Sequence, residues 1–174
     1  WASANGTFFF LSNREAPANA ATQNQIYMMR PDGGEARRIT DAKDGIVDYR
    51  LSPDGKTLVY RAGRAGARQL HRVPLATIET PKAEQLTTQS AGVDTWDWAP
   101  DSRRIYFAAA DRFDSDEKAR RDKKFTVNIR NAETPTSSLW ALDLDPKNAT
   151  RLSQEGAYSV ASFSVSDDGK WIGF

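Results

Sequence analysis

At 174 residues the chain has room for one ordinary domain whose core needs no covalent staples. Hydrophobic residues make up 39% and charged residues 27%, which excludes a disordered or collagen-like chain, and 24 basic against 23 acidic side chains leave too weak a field to hold nucleic acid or an anionic membrane. Cysteine is absent, so disulfides and thiolate chemistry are excluded while oxidising and reducing compartments stay equally open, and no stretch approaches the roughly 18 apolar residues of a bilayer span.

In chain order, Ala2-Ser3-Ala4-Asn5-Gly6 is a degenerate copy of a turn met again further on, and Phe8-Phe9-Phe10 is a continuous apolar run of the kind expected for a strand covered on both faces. Gln25-Ile26-Tyr27-Met28-Met29 reads as the next strand, and Arg38-Ile39-Thr40 closes the unit. The second unit begins at Ile46. Tyr49 and Leu51 fall on one face with Arg50 between them, Ser52-Pro53-Asp54-Gly55 makes the turn, and Leu58-Val59-Tyr60, Gln69-Leu70-His71-Arg72-Val73 and Gln85-Leu86-Thr87 follow. The third unit repeats the order with Trp96 and Trp98 around Asp97, Ala99-Pro100-Asp101-Ser102, Ile105-Tyr106-Phe107, Ser138-Leu139-Trp140-Ala141-Leu142 and Arg151-Leu152-Ser153. A last stretch, Val160 to Phe174, carries Phe163 and Val165 around Ser164, then Ser166-Asp167-Asp168-Gly169.

Gly6, Gly55, Ser102 and Gly169 stand 49, 47 and 67 residues apart, and the closing marks at Thr40, Thr87 and Ser153 stand 47 and 66 apart, so two independent features share one period. The excess in the third unit sits between Phe107 and Leu139. Ser-Pro-Asp-Gly suits a type I turn, because Pro presets φ at its second position, Asp bonds nearby backbone and Gly accepts the left-handed exit. Four short strands per repeat make a small antiparallel sheet that cannot hide both apolar faces alone, so successive sheets must stack radially as blades. The expected fold class is therefore all-β, a partial β-propeller of four-stranded antiparallel blades with one charged insert. The expected division is a half-blade over 1–40, a blade over 41–87, a blade over 88–153 with the insert at about 111–136, and a half-blade over 154–174. A ring closes with typically 4 to 8 blades, so the chain is expected to be a fragment whose remaining blades lie elsewhere, with self-association through open blade edges as a consequence.

Ser12-Asn13-Arg14-Glu15, Gln25-Ile26-Tyr27-Met28, Pro31-Asp32-Gly33-Gly34-Glu35, Arg37-Arg38-Ile39-Thr40 and Ser52-Pro53-Asp54-Gly55-Lys56 resemble the TolB-type propeller repeat over nearly the whole chain. That repeat occurs in TolB-like binding proteins and in the amino-terminal propeller of prolyl-oligopeptidase-family serine peptidases. The long insert followed by Ser138-Leu139-Trp140-Ala141-Leu142-Asp143-Leu144 and Thr150-Arg151-Leu152-Ser153 is similar to acylaminoacyl-peptidase and dipeptidyl-peptidase relatives. The resemblance implies a non-catalytic propeller that gates and positions peptide substrates for a carboxy-terminal α/β-hydrolase domain, its partner, with no cofactor; the alternative is a non-enzymatic propeller that binds protein partners. Abundant Ala and Arg point to a bacterial source, periplasmic or cytoplasmic. Ser3-Ala4-Asn5 and Val165-Ser166-Asp167 depart from the motif by lacking its proline.

No G-x-S-x-G occurs, so the nucleophile elbow of such a hydrolase is absent from these residues, and no residue is singled out as catalytic, cofactor-binding or metal-ligating. His71 reads as a partly buried or loop-facing strand residue, Asp54, Asp101 and Asp168 as turn stabilisers, Asp143 and Asp145 as a solvated edge, and Trp96 and Trp98 as packing residues between blades. Arg61, Arg64 and Arg68, spaced by Ala and Gly, read as a mobile, solvated basic loop; the sharper reading is a meeting point for a carboxylate or phosphate. In the insert, Asp111 to Lys124 holds five acidic and six basic side chains. Ser115-Asp116-Glu117 offers a cap to a short helix ending at Arg120-Arg121, and Phe125-Thr126-Val127-Asn128-Ile129 alternates like an edge strand.

Overall fold

The computed structural model describes residues 2–4, 6–15, 23–111, 136–154 and 156–174; the expected helix and edge strand of the insert lie outside them. The first sheet takes β1 (Ala2–Ala4), β2 (Thr7–Ser12), β3 (Gln25–Met29) and β4 (Arg37–Arg38) in that order. The second takes β5 (Ile46–Leu51), β6 (Thr57–Ala62), β7 (Gln69–Pro74) and β8 (Glu84–Gln85), and the third β9 (Thr95–Trp98), β10 (Arg104–Ala110), β11 (Ser137–Leu144) and β12 (Lys147–Arg151). A two-stranded ribbon of β13 (Ser164–Val165) and β14 (Ile172–Gly173) follows. Neighbours are antiparallel throughout, and the single helical element among the described residues is a 3-10 turn at Leu75–Thr77. One expectation is corrected. The first unit is a four-stranded sheet rather than a half-blade, because Ala2–Ala4 pairs with Phe9, Phe8 and Thr7 across the turn and adds the strand that a weak, proline-free sequence hides.

The repeated turns have the geometry their residues call for. The amide of Gly55 donates to Ser52 O at 2.8 Å, that of Ser102 to Ala99 O at 3.1 Å and that of Gly169 to Ser166 O at 2.8 Å. All four anchor residues are left-handed, with φ of 70° at Gly6, 68° at Gly55, 60° at Ser102 and 68° at Gly169. Ser102 accepts the strained conformation while its hydroxyl takes the amide of Asp54 at 3.0 Å, tying one turn to the next.

Packing between sheets explains the apolar runs. On β6, Leu58 and Tyr60 face the first sheet, joining Phe9, Ile26, Met28 and Ile39, whereas Val59 faces the third sheet with Trp96, Trp98, Ile105 and Phe107. On β10 the same alternation sends Ile105 and Phe107 to the second sheet and Tyr106 and Ala108 to the ribbon, where Phe163 and Ile172 meet them. First strands pack backward each time: Tyr49 and Leu51 on the first sheet, Trp96 and Trp98 on the second, Phe163 and Val165 on the third. Each fully buried large side chain contributes roughly 1.5–3 kcal/mol. Exposed ion pairs at the rim, such as Lys147 with Glu84 at 3.2 Å, contribute about 0–1 kcal/mol, so apolar stacking holds the blades together. On the outer side of the first sheet Phe8 and Phe10 are only half-buried, and the Arg14 guanidinium covers Phe10 and Tyr27 at 5.2 and 4.7 Å from their ring centres.

Two polar devices recur with the same period. The first is a backbone stitch at every junction: Ile46 N donates to Asn24 O at 2.9 Å, Val93 N to Arg68 O at 2.7 Å and Val160 N to Ser137 O at 2.7 Å. The second is a buried clamp. Thr40 donates to the Gln25 amide oxygen at 3.0 Å and accepts from Ile26 N at 2.9 Å, while Gln25 also takes Ala42 N and gives its NH2 to Ala42 O. Thr87, Gln69, Leu70 and Gln89 repeat this bond for bond. In the third sheet Ser138 replaces the glutamine and Ser153 the threonine, and Leu139 N still donates to Ser153 Oγ at 3.0 Å.

Truncating Gln69 to Ala takes the acceptor from the buried Thr87 hydroxyl and from the half-buried Gln89 amide, so unfolding by urea is expected to show a loss of about 1–3 kcal/mol, against less than half of that for Gln89→Ala, whose backbone does the bonding. Gly92, at φ 80°, approaches the Arg68 amide so closely that a Cβ would lie 2.6 Å from it. Gly92→Ala is expected to cost about 2–4 kcal/mol, from backbone strain and overpacking together, in the same measurement.

Candidate functional site

The turn aspartates bind their own turns. Asp54 accepts the Ser52 hydroxyl at 2.6 Å and Lys56 N at 3.1 Å; Asp168 accepts the Ser166 hydroxyl at 2.7 Å and Lys170 N at 3.1 Å. These serine hydroxyls, and then the lysine amides, hold both carboxyls below the usual carboxylate range. Asp101 lacks the serine and accepts Arg103 N at 2.9 Å. Asp143, read as a solvated edge, is instead in an ion pair with Arg104 at 2.6 Å, because antiparallel register sets the two residues opposite one another.

Trp96 and Trp98 are buried between blades, as their alternation implies. The Trp96 indole also donates to Asp48 at 2.7 Å, and Asp48 pairs with Arg61. Arg61 is therefore corrected from a solvated loop residue: its side chain is 13% exposed and its guanidinium reaches the carbonyls of Val93 and Asp94, which lead into the third sheet. Its place one residue inside the end of β6 makes it part of the blade junction. Arg64 is 84% exposed and pairs with Asp44 at 3.3 Å. Arg68 is half-buried, and its side chain makes neither a hydrogen bond nor an ion pair among the described residues. Around these two lies an open pocket of about 510 Å³, also lined by Asn24, Asp44, Ile46 and Val47.

His71 is half-buried on β7, stacked on Tyr60 at 5.2 Å between ring centres, with Nδ1 3.2 Å from Gln69 O. Burial pulls the imidazole below its ordinary value and pushes the Tyr60 hydroxyl up to about 12. The base of the insert is pinned: Asp111 N donates to Thr136 O at 2.8 Å, and the Asp111 carboxylate accepts from Thr136, Ser138 and Arg151 at 2.7, 2.9 and 2.7 Å. The two ends of the 24-residue excursion between Asp111 and Thr136 thus leave and rejoin the third sheet at one point.

The tricorn protease structure superposes on 97% of this chain with a TM-score of 0.66 at 11% identity, matching 14% of its own length. TolB from Acinetobacter baumannii superposes on 96% with a TM-score of 0.57 at 20% identity, over 34% of its length. The chain is a segment of a β-propeller. An acylaminoacyl peptidase structure in complex with Z-Gly-Gly-Phe-chloromethyl ketone covers 98% of the propeller segment at a TM-score of 0.62 and 17% identity, over 26% of that chain. Dipeptidyl-peptidase 5 of Porphyromonas gingivalis is 28% identical over 152 residues, which is 85% of the segment and 19% of that protein, so the segment spans about a fifth of this curated relative. No protein-family model matches. The resemblance to peptidase propellers read from the repeat wording is thus met in sequence as well as in fold.

Sequence reading missed two features of the propeller segment. The Gln25–Thr40 and Gln69–Thr87 clamps left a signal, since Gln recurs at the start of the third strand and Thr at the closing mark with one period. Asp48 left none, because nothing in Val47-Asp48-Tyr49 says that the partner is an indole 48 residues on.

The chain has one histidine, and its folded-state pKa lies below the unfolded value of about 6.5, so the unfolded chain takes up the proton first. Its contribution to stability is complete above about pH 6.5 and is lost as pH falls toward the folded pKa. Unfolding curves between pH 7.5 and 5 are expected to show that loss, and His71→Phe, which keeps a ring on Tyr60, to flatten it. The lowered carboxyls of Asp54, Asp168 and Glu84 lose their contribution in a separate window, below about pH 4.

Proposed function

We propose that these blades form part of the propeller of a serine-type exopeptidase of dipeptidyl- or acylaminoacyl-peptidase character, where they restrict access to an α/β-hydrolase domain and help position the peptide. The observation that carries this reading is the 28% identity to dipeptidyl-peptidase 5 along 85% of the chain, because fold likeness alone is shared with TolB. The division of labour follows from the residues. The turn aspartates, Trp96 and His71 are engaged in turns, blade junctions or strand stacking, and no G-x-S-x-G is present, so the bond-breaking groups belong to the hydrolase domain. Stacked blades offer a rigid wall, and the connecting loops at one end of the sheets are the part of that wall free to meet a peptide.

The full-length protein is expected to hydrolyse dipeptidyl or N-acylaminoacyl chromogenic substrates and to lose that activity to a serine-directed reagent, while the 174 residues alone hydrolyse neither. Hydrolysis by the isolated residues would sink the proposed division of labour. A full-length protein that is inert toward both substrate classes, yet retains a protein partner on an affinity column, would establish the TolB-like binding reading in its place.

A further inference from the structure

The pocket at Arg64 and Arg68 is not used by the fold. It lies at the end of the sheets opposite the Pro-Asp-Gly turns, between the start of β5 and the loop from β6 to β7, the same end from which the third sheet sends out its insert. Arg68 is unusual among the half-buried arginines. Arg61 is spent on Asp48 and two carbonyls, Arg72 on Glu84 and Arg151 on Asp111, but the Arg68 guanidinium has no anion or acceptor among the described residues; its Nε, like that of Arg61, is buried without a partner. A half-buried guanidinium left unpaired is costly, so a fold that keeps one beside an open pocket has a group ready for an anion.

The backbone beneath it is held fixed. Val93 N donates to Arg68 O at 2.7 Å, and Gly92 packs so tightly on the Arg68 amide that no other residue fits there. The charges decide the class of ligand. Arg64 and Arg68 against Asp44 leave one net positive charge in the pocket, which matches a monoanionic carboxylate better than a phosphate dianion. Val47, 40% accessible at the pocket's edge, supplies an apolar surface on which a short side chain can lie.

We infer that this pocket binds the terminal carboxylate of a short peptide, with Arg68 as the principal donor and Arg64 as the second. The choice of a peptide rests on the proposed peptidase role; the anion site itself rests on the unpaired guanidinium and the pocket. The test is calorimetric titration of the full-length protein with acetyl-trialanine carrying a free carboxylate, and with the same peptide as its amide. The free carboxylate is expected to bind about tenfold or more tighter than the amide, and Arg68→Gln to remove that difference while the unfolding midpoint stays in place; Arg68→Lys, which keeps the charge but not the fork, and Arg64→Gln are each expected to remove only part of it. Equal affinity for acid and amide, or an unchanged preference in Arg68→Gln, overturns the site. Inorganic phosphate displacing the peptide at lower concentration than acetate overturns the carboxylate assignment. Chromogenic hydrolysis measured alongside separates the two readings: carboxylate preference without hydrolysis sinks the peptidase role and keeps the anion site, and hydrolysis without preference does the reverse.

Discussion

Burial of apolar side chains between successive small sheets is the constraint on which the rest of this structure depends. A four-stranded sheet has two faces and no helix to cover either, so the second strand of each unit must be apolar through its middle and divide those side chains between two neighbours. Leu58 and Tyr60 go one way and Val59 the other; Ile105 and Phe107 go one way and Tyr106 the other. The first strand needs only one apolar face, which explains why Tyr49 and Leu51, or Trp96 and Trp98, alternate with Arg50 and Asp97. Those intervening residues then meet each other across the junction at 2.5 Å.

Stacking alone would let adjacent blades slide, since hydrophobic contact has no direction. The backbone stitches from Ile46, Val93 and Val160 fix the approach to each first strand against the start of the third strand of the blade before it, and the Gln–Thr clamps fix the outermost segment of a blade to its own third strand. Polar groups buried in pairs cost little and confer register, whereas a single unmatched one would be expensive. The third blade shows how the device tolerates change. Where Ser138 is too short to span the gap that Gln25 and Gln69 fill, Asp111 and Arg151 close it, and the same carboxylate pins the mouth of the insert. A structural clamp has become the anchor of an excursion that the other blades lack.

For function, the consequence is a separation of roles along the blade axis. The Pro-Asp-Gly end is consumed by turn chemistry, with each aspartate and serine bonded inside its own hairpin and one serine reaching to the next. The opposite end carries the connections from second to third strands, and there the chain gathers the pocket of Arg64 and Arg68 and the base of the charged insert. The proposed peptide-gating role, resting on the similarity to dipeptidyl-peptidase 5, draws on this end and not on the turn end.

The sequence by itself determined the repeat, its period, the strand order within a unit and the turn positions, because those depend on local chemistry: proline and glycine set φ, alternation sets the face, and an unbroken apolar run means cover on both sides. It also determined that Trp96 and Trp98 pack and that Asp54 and Asp168 belong to turns. It left the first strand unread, since Ala2–Ala4 has no apolar pattern and is recruited by pairing with Phe8 and Phe9. Only the tertiary structure decided which arginine of one short loop is locked into a junction and which is left facing a pocket. Arg61 and Arg68 stand in similar local sequence, and their fates follow from what the next blade presents to each: for Arg61, the carbonyls of Val93 and Asp94 beside Asp48, and for Arg68, the bare backbone of Gly92.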